Sequence, residues 1–204
     1  MITRRHFLLF VTLMVLLGGA VGAAAEDASA LVKQTAERML SALEARRADV
    51  NRDPALIYGM IDQILAPHFD FKKITQGALG QHWRAATPTQ QQALMDGFKQ
   101  VLVRTYARSL LNYSGEEIRY LPVKPTGKDN TVIVPTEVRA PGSTPIPIDY
   151  RMYNSGGGWK VFDVIVNSAS LVSNYRSSFS TEIRQNGIDG LITKLAEMNR
   201  KGQG

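Results

Sequence analysis

The step between apolar residues changes along this chain, and that change limits the folds open to it. Up to Tyr113 they recur every three or four positions, whereas from Ile118 to Val166 they recur every two. After Ser170 the helical step returns. A block of strands bracketed by helices excludes a pure helical bundle, an all-β barrel and an alternating α/β sheet. The fold class that remains is α+β: about four antiparallel strands in a twisted sheet, surrounded by helices whose apolar residues either pack as core or line an apolar cavity.

The helical elements carry their own punctuation. From Asp27 to Arg47, Leu31, Met39, Leu40 and Leu43 mark a first amphipathic helix. Asp53-Pro54 opens a second, because Asp caps a helix and Pro suits its first position; Ile57, Met60, Ile61, Ile64 and Leu65 line it until Pro67. Thr87-Pro88-Thr89-Gln90 repeats the signal before the longest helix, whose stripe is Leu94, Phe98, Val101, Leu102, Tyr106, Leu110 and Tyr113, with Gly115 as its end. Beyond Ser170 the helix through Leu171, Tyr175, Phe179 and Ile183 breaks at Asn186-Gly187.

Four strands follow from the two-residue step: Ile118 and Tyr120; Val132 to Val138; Ile146 to Met152; and Trp159 to Val166. Pro135 offers no ladder hydrogen and so predicts an edge position or a bulge in its strand. The last two strands are joined through Asn154-Ser155-Gly156-Gly157-Gly158. The simplest register of that hairpin sets Tyr150 opposite Phe162, Ile148 opposite Val164 and Asp149 opposite Asp163. Neither face is then polar, so both sides of the sheet need cover.

Residues 1–25 read as a cleavable export signal, with Arg4-Arg5, an apolar run from Phe7 to Leu17, and Ala23-Ala24-Ala25 before the cleavage point. About eleven apolar residues fall short of the roughly twenty that span a bilayer. Thr3-Arg4-Arg5-His6-Phe7-Leu8 also resembles a twin-arginine signal, so the export route stays open. Removing Arg4 and Arg5 with no acidic residue lowers the formal charge from +6 to +4. Residues 26–204 form one domain outside the cytoplasm, where nucleic acid is not a partner.

Catalytic chemistry is sparse. The chain has no cysteine and three histidines, of which His68 and His82 survive cleavage, without the spacing of a helical metal pair; neither a metal nor another cofactor is expected. No serine stands in a G-x-S-x-G elbow. Asp149 and Asp163 could form a paired-carboxylate site, but with Arg151 nearby an ion-paired sheet accounts for them. No catalytic residue is assigned. What the sequence has in quantity is apolar surface.

Asp53-Pro54, Leu79-Gly80-Gln81-His82-Trp83-Arg84, Ala86-Thr87-Pro88-Thr89-Gln90 and the Phe98–Tyr113 stripe, in that order, resemble the MlaC, or toluene-tolerance, family. The likeness continues through Thr131-Val132-Ile133-Val134-Pro135, Trp159 to Val164, Ser170-Leu171, Tyr175-Arg176 and Asn186 to Leu191. The resemblance implies a monomeric periplasmic carrier, not an enzyme. Such a carrier shuttles phospholipid between an outer-membrane lipoprotein complex and an inner-membrane MCE-domain/ABC transporter complex. Where many members have Glu-Gly before the next helix, this chain has Val166-Asn167-Ser168-Ala169-Ser170. A related branch is associated with hopanoid export, which keeps hopanoid or another apolar lipid as alternative cargo; an envelope interaction module without cargo is a further alternative.

On that reading the wall of the lipid cavity comprises Phe98, Leu102 and Tyr106 from the long helix, Val132, Val134, Tyr150, Met152 and Val164 from the sheet, and Leu171 and Tyr175 from the next helix. Lys72, Lys73, Arg84, Arg104 and Arg108 are the residues expected to meet the head group or guide docking.

Overall fold

The computed structural model describes residues 19–128 and 130–201. The basic head and apolar run of the expected export signal lie outside the described residues. Helix α1 (Gly19–Ala45) includes the Ala-rich stretch that precedes Asp27, in keeping with alanine's high helix propensity. A short α2 (Arg47–Arg52) and α3 (Leu56–Ile64) follow. Asp53 does not cap α3 directly; its carboxylate accepts the Ala55 N–H at 3.0 Å and closes a turn ahead of the helix. Pro67 sits in a 3₁₀ turn, Ala66–His68.

Helix α4 (Phe71–Leu79) starts at Asp70, whose carboxylate accepts the Lys73 N–H at 2.9 Å. After the brief α5 (His82–Ala85), α6 (Pro88–Leu111) opens with the expected signal in full. Thr87 accepts from the Gln90 N–H and Gln90 from the Thr87 N–H, with Pro88 at the first helical position. Helix α7 (Leu171–Lys201) is broken at Gly187, where φ 71° and ψ −177° are values that only glycine takes without strain.

The sheet has six strands rather than about four: β1 (Glu117–Tyr120), β2 (Lys124–Pro125), β3 (Thr131–Arg139), β4 (Ile146–Asn154), β5 (Trp159–Val166) and β6 (Ala169–Ser170). The two additions are two residues long, too short to show a period. The order is β1-β3-β4-β5-β6, antiparallel throughout, with β2 beside β1 on β3.

Two expectations are corrected here. Pro135 lies in an interior strand without a bulge, between β4 on one side and β1 and β2 on the other. Its carbonyl accepts the Leu121 N–H at 3.0 Å, so its nitrogen faces the break between β1 and β2, where no donor is required. In the β4–β5 hairpin, Tyr150 pairs with Val164, Ile148 with Val166 and Arg151 with Asp163. The register shifts between Arg151 and Met152, where Phe162 is the extra residue of a bulge. Asp149 faces Ile165, and no aspartate pair forms.

Three apolar clusters hold the fold. One joins α4, α6 and α7 around Ile74, Phe98, Val101, Phe179 and Leu195. Another packs Ala28 and Val32 of α1 on Val132, Val134, Met152, Trp159 and Val161 of the sheet. The third gathers Met39, Leu43, Val50, Ile57, Met60, Ile61 and Ala107 from α1, α2, α3 and α6.

Candidate functional site

The bulge in β5 turns both Val161 and Val164 toward the inner face of the sheet. Helix α1 covers the Val132, Val134 and Met152 part of that face. The neighbouring strip, made by the cross-strand pairs Tyr150–Val164 and Ile148–Val166, is not filled by α1. Over it lies a cavity of about 290 Å³. Leu102, Val103, Tyr106, Ser109 and Leu110 of α6 form one wall, at one- and two-turn spacings along the helix. Ile61 and Leu65, then Ala66, Phe69, Phe71 and Ile74, close another side, and Leu171 and Val172 close the end at α7.

The segment over the cavity is tied down to the sheet. The Asp70 N–H donates to the Val161 carbonyl at 2.9 Å, and the Tyr153 hydroxyl donates to Asp70 Oδ2 at 2.5 Å. Lys160 Nζ donates to the Pro67 carbonyl at 2.5 Å. Gly77 allows α4 to approach α7: a Cβ there would stand 2.7 Å from Val172 Cγ1. These ties set the spacing of the walls.

The lining is aliphatic and aromatic apart from two phenols, Ser109 and Asp163. Asp163 is only 4% exposed but fully engaged: it accepts the Ser170 hydroxyl at 2.7 Å and the Val172 N–H at 3.2 Å, with Arg151 Nη1 at 3.7 Å. A carboxylate so held caps α7 and has no second acid beside it. Burial pushes the Tyr150 phenol up to about 12, since the apolar wall disfavours its anion. His82 Nε2 stands 3.3 Å from Ser180 Oγ, but Ser180 also accepts from Arg184 at 2.9 Å. Among the described residues no carboxylate completes a triad there, and none of the His, Asp and Glu side chains gather in threes that could hold a metal.

Of the residues expected to line the cavity, the structure brings together Leu102, Tyr106, Tyr150, Val164 and Leu171. The other five stand elsewhere. Phe98 and Tyr175 meet edge to face at 4.8 Å in the cluster between α6 and α7. Val132, Val134 and Met152 lie beneath α1. Sequence reasoning missed Phe69 and Phe71, although two aromatics between Pro67 and Gly80 were a usable signal, and Ile61 of α3 and Leu65, one turn on at its C-cap. The basic residues are dispersed. Lys72, Arg84 and Arg108 are exposed, Lys73 Nζ lies 3.2 Å from the centre of the Tyr153 ring, and Arg104 packs at 5.1 Å over Tyr58.

A family model described as MlaC protein matches residues 33–197. The chain belongs to the MlaC family. Its likeness to members of that family spans most of both partners. The intermembrane phospholipid transport system binding protein MlaC of Haemophilus influenzae is 25% identical over 170 residues, 82% of this chain and 79% of that protein. The toluene tolerance protein ttg2D of Pseudomonas putida is 29% identical over 167 residues, 81% of this chain and 77% of that protein. A solved structure, the phospholipid-binding protein from Ralstonia solanacearum in complex with a phospholipid, superposes with a TM-score of 0.80 at 34% identity. It covers 87% of this chain and 99% of the solved one. The solved protein thus shares this chain's fold, its α+β architecture included.

Proposed function

We propose that this protein is a periplasmic carrier that holds the acyl chains of a phospholipid in the cavity between the sheet and α6. It moves its cargo between an outer-membrane lipoprotein complex and an inner-membrane MCE-domain/ABC transporter complex. The observation that carries this reading is the apolar cavity itself, in a member of a family with a phospholipid-bound relative of the same fold. Nothing beside the cavity asks for turnover of the cargo.

The energetics support few polar groups. Two acyl chains carry on the order of thirty methylenes, and at about 0.8 kcal/mol each their transfer from water is worth about 24 kcal/mol. That is beyond the practical ceiling of non-covalent affinity, so the bilayer is the relevant reference. A pocket about as apolar as lipid tails makes exchange with a membrane nearly neutral, while enclosure keeps the chains out of water. No described helix is long and apolar enough to cross a membrane; Lys72, Arg84 and Arg108, exposed on three separate elements, are the residues that would meet a partner's acidic face.

The Asn167-Ser168 departure lies on an exposed turn and not on the wall, which favours phospholipid over hopanoid. Organic extraction of exported protein followed by mass spectrometry should release about one diacyl lipid per chain. In Val164→Trp, which fills the cavity, lipid content should fall severalfold while circular dichroism stays unchanged. A folded, lipid-free wild-type protein after export would leave the interaction-module reading in its place.

A further inference from the structure

On the far side of Val103 from the cavity, α3 and α6 form a second recess of about 420 Å³, and its character is opposite: it is lined by Tyr58, Asp62, Asp96, Lys99 and Arg104. Val103 borders both spaces. Lys99 also bridges them, since its ammonium pairs with Asp62 at 2.8 Å and lies 5.5 Å from the centre of the Phe71 ring, a cavity wall. The Lys99–Asp62 pair is 34% and 52% exposed, so opening it costs little.

The two remaining charges are unmatched. Among the described residues Arg104 meets no carboxylate and is steadied only by the Tyr58 ring, while Asp96 accepts Gln92 Nε2 at 2.9 and 3.0 Å and meets no cation. Eight residues separate Asp96 from Arg104, about 12 Å along one helix, with Lys99 between them. A phosphate placed between Lys99 and Arg104 leaves Asp96 to face whatever extends from it. The four ionic side chains sum to zero, so a ligand with one negative and one positive group keeps every charge matched. A singly anionic ligand sets a like charge against Asp96.

We propose that this recess holds the head group of the lipid, and that it selects a zwitterionic phosphoethanolamine type over an anionic phosphoglycerol type. Phosphate lies between Arg104 and Lys99, and the ammonium lies at Asp96. The inference rests on the carrier reading, and it adds that cargo choice resides on α3 and α6, outside the apolar wall. Exposed pairings of this kind are worth a few tenths to about 1 kcal/mol, which corresponds to a roughly two- to fivefold preference.

The test loads the full exported chain from vesicles of equal phosphatidylethanolamine and phosphatidylglycerol content with matched acyl chains, and reads the bound ratio by mass spectrometry. The wild type should be enriched about two- to fivefold in phosphatidylethanolamine. Asp96→Asn should bring the ratio near one and Asp96→Lys should turn it toward phosphatidylglycerol, whereas Arg104→Gln, which loses a contact to the phosphate that both lipids carry, should lower total retained lipid without abolishing the preference. Both positions are at the surface of α6, and circular dichroism confirms folding. A wild-type ratio of one, or a preference that survives Asp96→Lys, overturns the proposal while leaving the carrier reading intact; absence of any bound lipid is instead the failure of the carrier reading. Soluble phosphoethanolamine separates a lipid site from a metabolite site. Weak or no retention of it, beside a clear lipid preference, supports the head-group assignment, and tight retention without a lipid preference overturns it.

Discussion

The two halves of α6 carry their apolar residues at the same helical spacing and have opposite surroundings. Phe98, in the first half, is 1% exposed and clamped edge to face between Tyr175 and Phe179 at 4.8 and 4.9 Å. Tyr106, about two turns later on the same stripe, is 37% exposed and borders empty space. Both residues follow the same helical period, so the period reports which side of the helix faces inward and not whether anything waits there. What differs is the opposite element. The first half meets a helix whose aromatics reach across; the second meets a sheet strip of Ile148, Tyr150, Val164 and Val166, held off by the tied-down segment of Phe69 and Phe71.

The largest expected effect separates these halves. Phe98→Ala should cost about 3–5 kcal/mol in urea unfolding, because close-packed neighbours cannot collapse onto the space. Leu102→Ala should cost about 1 kcal/mol, since its outer side already lacks partners, yet it should lower retained lipid where Phe98→Ala leaves the lipid-to-folded-protein ratio unchanged. Equal destabilisation would mean that the second half is ordinary core.

A middle-sized effect comes from two of the seven tyrosines. Burial in the wall holds the Tyr150 phenol at about 12, whereas the hydrogen bond to Asp70 is the first cause that raises Tyr153 to about 12. Both pKa values exceed the ordinary 10, so the neutral phenols favour the folded state fully below pH 10, and that contribution fades as pH climbs toward 12. Ultraviolet titration should show two late tyrosinates. Lipid loading should delay Tyr150 further and leave Tyr153 in place; a common shift would tie Tyr153 to the cavity as well.

The smallest effect lies at the cavity's rim. Asn167 and Ser168 join β5 to β6 with φ of 49° and 67°, the sign required of a two-residue I′ turn. Asn tolerates that region, but Ser does so at a cost. Ser168→Gly should stabilise the fold by roughly 1 kcal/mol with no change in cargo, and a changed lipid profile would extend the binding region to this turn.

Much of this was legible beforehand because the signals were local. The Thr87–Gln90 capping box, the break at Gly187 and the four longer strands each follow from neighbouring residues. The register of β4 on β5 was not, because a single bulged residue, Phe162, moves every later pairing and no motif marks it. Pro135 misled for a related reason: its tolerance depends on a break in a partner strand far along the chain. The cavity was legible by halves. Leu102, Tyr106, Tyr150, Val164 and Leu171 were within reach of pattern alone, while Val132, Val134 and Met152 share their face and differ only in lying under α1. Which apolar strip a helix leaves bare is set by the geometry of the whole assembly.

Pro135 has a second consequence, for the life of the chain before and between folded states. Strand β3 spans Thr131–Arg139, and whenever β1 and β2 detach, its outer edge becomes a template onto which another chain could polymerise. With Pro135 near the middle, that edge is two short stubs rather than one continuous ladder, and neither offers enough consecutive donors to seed a growing stack. The native partners fit the gap because they come as two pieces. The protein thereby keeps a safeguard against self-association in an interior strand of its sheet.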